Sequence, residues 1–216
     1  MYIKDCQEKF LVSAGECYSL MCTAFVREDL RTLDRTERIL KNHKQELKND
    51  RRKETLCLRQ VSRPVAIEKS AWFHLANNCC MSMLYNLRRI NEVCKEHVEN
   101  NFRTLPGHYI AESETISAKV GELFEGTCSM IAGESLESVD LLRMRCDRIK
   151  DMISESYHRL YSNLHEGDPE AMSVLYVYMN VLQETQEMVS SMRKYLRAFA
   201  KLKDSAYSGR AKAKIS

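Results

Sequence analysis

Glycine and proline are scarce, with seven and three among 216 residues. So few turn formers cannot punctuate a many-stranded sheet, which leaves a handful of long elements. Leu, Met, Glu, Lys and Arg, all good helix formers, are abundant instead. Long apolar runs are missing as well. The longest stretch without a charged residue, Ser70 to Leu87, is broken by His74, Asn77, Asn78, Ser82 and Asn86, more polar groups than a lipid-facing helix tolerates. Neither charge dominates: 33 basic against 30 acidic residues give +3, too weak a field to demand nucleic acid or an acidic ligand. The basic cluster around Arg51 lacks the interleaved aromatics of a single-strand groove.

No cysteine stands at CxxC spacing, and the total of nine is odd. Cys80, Cys94, Cys128 and Cys146 fall among apolar helical positions, so they read as small buried hydrophobes in a reducing compartment. Met1 leads straight into the helical pattern YIKDCQEKFLV, so no signal peptide is expected. The chain contains no GxGxxG, Walker loop, HExxH or GxSxG, so nucleotide binding and hydrolysis lack support. Glu155 and His158 have the i, i+3 spacing of a di-iron bundle, but such sites need a second copy of the motif, and none exists.

What the chain does contain is a heptad seam. Phe73, Cys80, Leu87 and Cys94 recur every seven residues, as do Ala76, Met83, Ile90 and His97, which describes one buried helix between Trp72 and Asn101. The two tracks return as Leu175, Leu182, Val189 and Leu196 and as Tyr178, Thr185, Met192 and Phe199. One offset superposes them, since 175 − 80 = 182 − 87 = 178 − 83 = 95. Duplication follows, with one central helix per copy. Weaker echoes are Gly15-Glu16 with Gly121-Glu122, and Arg38-Ile39 with Arg148-Ile149.

Six helices are expected. The first runs over 2–26, and the second over about 34–60, with a break between Glu28 and Asp34 because Asp34 and Glu37 have capping-box spacing. The second carries a thin stripe of Ile39, Leu40, Leu47, Leu56 and Leu58 beneath a charged run read as a solvated face. Pro64 marks the start of the third, and Pro106-Gly107 ends the first half. The fourth runs from about His108 to Ile131 with Gly133 as its stop, and the fifth begins after Ser135. Asp168 and Pro169 open the sixth, which continues to about Ala206. Domain boundaries follow as 1–104 and 105–206 for two three-helix repeats in one compact unit, and 207–216 for a basic tail. His97 on the seam reads as a core histidine satisfied by a carbonyl or carboxylate, and Cys79-Cys80 as packing residues that one helix face cannot hold together.

Six helices in two such copies resemble the PhoU fold. The resemblance is strongest at Asn86-Leu-Arg-Arg-Ile-Asn-Glu92 and Glu96-His-Val-Glu-Asn-Asn101, the latter similar to the cytoplasmic PhoU-like domain that follows the membrane part of bacterial sodium/phosphate cotransporter-related proteins. That family carries paired acids near an L-E-R-I-x-D pattern that can hold multinuclear metal clusters. Here Leu87, Ile90 and Glu92 match, but Arg88 replaces the first acid; in the second copy Leu182 and Glu187 match and Gln183 replaces it. Half of each carboxylate set is gone, so Arg88 is expected to neutralise Glu92, Gln183 to hydrogen-bond Glu187, and the chain to hold no metal.

The resemblance implies a non-catalytic regulatory or accessory domain of a sodium-dependent phosphate transporter. It would act by protein contact, with no cofactor, at the inner face of the cell membrane as part of a longer membrane protein. A free-standing helical adaptor is the alternative, and self-association is left open. From Arg193 onward eight basic residues face one acid, Asp204, which points to contact with an anionic membrane surface. The tail should therefore confer a modest, salt-sensitive affinity for anionic vesicles, each basic residue near the surface adding about 1 kcal/mol at most. Equal sedimentation of the intact chain and one ending at Leu202 with such vesicles would refute this.

Overall fold

The computed structural model describes residues 2–58, 63–101, 103–133, 138–163 and 169–203, and all its regular elements are α-helices. They are α1 (Tyr2–Arg27), α2 (Leu30–Leu58), α3 (Arg63–Glu99), α4 (Gly107–Gly133), α5 (Val139–Asn163) and α6 (Pro169–Lys203). Pro169 opens α6 as expected, because a first-turn residue has no intrahelical partner for its missing N–H. Ser135, Gly167, Asp168, the expected end at Ala206 and the tail over 207–216 lie outside the described residues, as do the side chains of Leu56 and Leu58.

One boundary differs from expectation. The chain reverses at Glu28, whose φ of 55° is left-handed, and Asp29 caps α2. Its Oδ1 accepts the Thr32 N–H at 3.1 Å, and its Oδ2 accepts the Thr32 hydroxyl at 2.6 Å. A glutamate rarely takes this backbone region, so no glycine or asparagine marks the turn. Asp34 and Glu37 do not cap; they lie inside α2, where their carboxylates serve another purpose. The end of α3 uses the same left-handed device at Asn101, with φ of 50° and its N–H donating to Val98 O at 3.2 Å.

At the centre, α3 and α6 make the most extensive helix pair in the molecule. They run antiparallel, because Cys79 and Cys80 lie beside Lys194 and Tyr195 while Arg89 meets Glu184. All sixteen seam side chains are buried, the most exposed being Leu175 at 7%. Arg89 and Glu184 are 95 residues apart, the offset of the two seams, and pair at 3.1 Å. Equivalent positions would meet in this way beside a twofold axis relating the seams.

α1 packs against α4, while α2 covers α3 and α5 covers α6. Because α1 and α2 also flank α3, both Cys79 and Cys80 are buried; a helix covered on several sides has more than one inward face. Leu33, Leu40 and Leu47 form the buried stripe of α2, and most of its charged run is exposed.

Two buried hydroxyls fasten α1 to α6. Thr185 donates its only hydroxyl proton to Val181 O at 2.7 Å, so Tyr18 is the donor in the 3.2 Å bond between Tyr18 and Thr185. Tyr195 donates to Gln7 Oε1 at 3.0 Å. Leu87→Ala and Leu182→Ala should each cost about 2–5 kcal/mol, because a cavity would open where no loop can collapse into it. Denaturant midpoints unchanged in both variants would rule out the seam as the core.

Candidate functional site

An open groove of about 1220 Å³ runs along the junction of α1 and α4. The helices are antiparallel here, with Gly15 against Phe124 and Cys22 beside Ser117. Gly15 permits the close approach, since a Cβ there would stand 2.9 Å from the Phe124 Cβ. Gly121, on the opposite wall, faces open space. The two Gly-Glu pairs noted in the sequence both line this groove. The echo was legible, but its meaning depended on two helices meeting.

Glu16, Glu114, Glu122 and Glu125 line the groove against a single basic residue, Arg27. Val12 and Leu20 add apolar surface, 46% and 39% exposed. Burial pushes the Cys22 and Cys128 thiols up to about 11, so both stay protonated and weakly nucleophilic at neutral pH. No histidine lines the groove to serve as a base.

Two polar arrangements outside the groove were not foreseen. Lys95 of α3 bridges Asp34 at 2.7 Å and Glu37 at 3.0 Å on α2, and Lys41 reaches Glu37 at 2.5 Å. The supposed capping-box acids thus clamp α2 onto α3. On the neighbouring surface His43 Nε2 lies 2.7 Å from Ser13 Oγ, and its Nδ1 lies 2.9 Å from Glu46 Oε2. The order hydroxyl, imidazole, carboxylate is that of a nucleophile, base and orienting acid. Ser13 sits inside α1, however, where backbone N–H groups are spent on the helix and cannot form an oxyanion hole. The arrangement ties α1 to α2.

The residues singled out earlier do not converge. Arg88 Nη2 lies 3.8 Å from Glu92 Oε1, as expected, with Glu92 64% exposed. Gln183 and Glu187 are both exposed. Glu155 and His158 face outward on α5, which removes the di-iron geometry. His97 is buried edge-on to Phe25 at 4.8 Å, and desolvation lowers its pKa while the Glu28 carboxylate opposes that. Among the described residues no three His, Cys, Asp or Glu side chains form a group able to hold a metal ion. No described helix is long and apolar enough to cross a membrane.

Helices, seam and groove define the class as an all-α six-helix bundle with a surface groove. No family model and no curated protein matches the sequence. Among solved structures, the chain is similar to the crystal structure of PhoU from Pseudomonas aeruginosa, with a TM-score of 0.81 at 10% identity. The match covers 93% of this chain and 94% of that one. The fold is PhoU-like. The metal clusters implied by the resemblance do not fit the residues present, because Arg88 puts a cation where a carboxylate is required and Glu92 is engaged by it.

The α2–α3 clamp has a signature in pH. The Lys41 and Lys95 ammonium groups draw Glu37 from its ordinary 4.5 to about 2. A depressed carboxylate pKa contributes stability that is present above 4.5 and lost as pH falls toward 2. Asp34 and Glu37 raise Lys95 above its ordinary 10.5, so its share is complete below that value and lost only in stronger alkali. Between pH 4.5 and pH 2 the parent should lose roughly 1 kcal/mol more stability than Glu37→Gln, a value reduced for solvent screening. Parallel stability-versus-pH curves would show that the clamp contributes nothing.

Proposed function

We propose that the chain is a non-catalytic regulatory or accessory PhoU-like domain. In this reading it acts in phosphate transport or its regulation by contact with a sodium-dependent phosphate transporter, from the cytoplasmic face of the membrane. The observation that carries the proposal is the near end-to-end structural likeness to PhoU. The segments Asn86–Glu92 and Glu96–Asn101 support the transporter context through their resemblance to cotransporter-related domains. The groove supports action by contact, since it is long, open and lined by carboxylates, hydroxyls and exposed apolar side chains that a partner surface can meet. Residues 1–104 and 105–206 are read as two copies of one three-helix unit, fused through their central helices.

In-frame removal of the coding sequence for these residues tests the proposal. Uptake of radiolabelled phosphate should change, or should lose its dependence on external phosphate. Uptake identical to the parent strain in phosphate-rich and phosphate-poor media would refute the assignment.

A further inference from the structure

We propose that the α1/α4 groove is the docking surface for a basic amphipathic helix of a partner protein. This rests on the contact-based reading above and adds the chemistry of the partner. From Val12 to Arg27 the α1 wall spans about 22 Å, four helical turns at the usual rise per residue. Its small residues, Ser19 on one wall and Ala118 and Gly121 on the other, leave room for a helix to lie along the junction, and the position of Gly121 opens onto free space. Val12 and Leu20 offer apolar contact to one stripe of that helix. Both walls are helices with their backbone N–H groups already bonded, so there is no open edge for an extended strand to join.

Charge determines the partner's sign. Lys119 holds Glu122 at 2.8 and 3.0 Å, whereas Glu16, Glu114 and Glu125 enter no ion pair among the described residues. This local acidity sits on a chain of net charge +3. Lys or Arg residues flanking the apolar stripe would meet those carboxylates. A nucleic acid or an anionic lipid would be repelled, and a second copy would bring its own carboxylates against these.

The probe is a labelled synthetic helix of about 16 residues, enough to follow the groove, with Leu and Ala on one face and Lys on the other. Fluorescence anisotropy with the full chain should show saturable binding, and a control with Glu in place of Lys should not bind. The double variant Glu16→Gln/Glu125→Gln, at exposed positions, should bind roughly tenfold more weakly. Ser19→Trp should fill the groove and abolish binding, with thermal melting of both variants compared to the parent. Equal binding of the acidic control, or parent-like affinity in the double variant, would overturn the proposal. So would displacement of the probe by a peptide of residues 204–216 at lower concentration than by unlabelled probe, because the occupant would then be this chain's own basic segment. No probe binding by the parent chain, with deletion still altering phosphate uptake, refutes the groove alone; saturable binding by the parent chain, with deletion leaving uptake unchanged, refutes the phosphate role alone.

Discussion

Removal of the α3 and α6 seams from water is the constraint on which the remaining structure depends. Each heptad track places a side chain on the same helix face every second turn, and two such tracks make a stripe too wide to leave solvated. A fully buried Leu, Val, Ile, Phe or Met contributes about 1.5–3 kcal/mol, so the seams outweigh any single surface contact by a wide margin. Antiparallel packing lets the two stripes cover each other along most of their length. Arg89 and Glu184 then face each other at the solvent edge of the pair.

The outer helices complete what that pair cannot bury alone. α2 is highly charged and reaches the core through a thin line of Leu33, Leu40 and Leu47, so ionic contacts supplement a small apolar contribution. Lys95 links two carboxylates of α2 to α3, and His43 links α2 to α1. α4 is held to α5 by Glu112, which accepts from both Ser156 and Arg159. Cross-bundle bonds from Tyr18 and Tyr195 fix where α1 lies against α6. With α1 and α4 positioned in this way, the groove between them is a consequence of the core packing.

Substitutions on the two seam helices change what the family's acidic positions can do. Polyvalent cations need several oxygen or nitrogen ligands at once, held by groups that favour the ion. On α3, Arg88 supplies a positive charge within reach of the acid one turn later; on α6, Gln183 supplies a neutral amide. Glutamates are plentiful along the α1/α4 groove, which is open to solvent.

The helical class, the number of helices and the identity of the buried seam were legible in the chain itself. Heptad spacing and the scarcity of Gly and Pro act locally, and the 95-residue offset is a property of the string. Pro169 marked the start of α6 correctly, because its locked φ and missing N–H are intrinsic, and α4 ends at Gly133 as expected. The reversal at Glu28 falls at the edge of the expected break, but its left-handed glutamate and the cap at Asp29 were not legible, since glutamate seldom adopts that conformation. Asp34 and Glu37 matched a capping pattern but became partners of a lysine some sixty positions away, a contact that exists only after α2 and α3 pack. Cys79 and Cys80 could share the interior only because several helices surround α3. The groove likewise belongs to neither α1 nor α4 alone: its width is set by how closely Gly15 lets one helix approach the other, a distance between segments that no local pattern encodes.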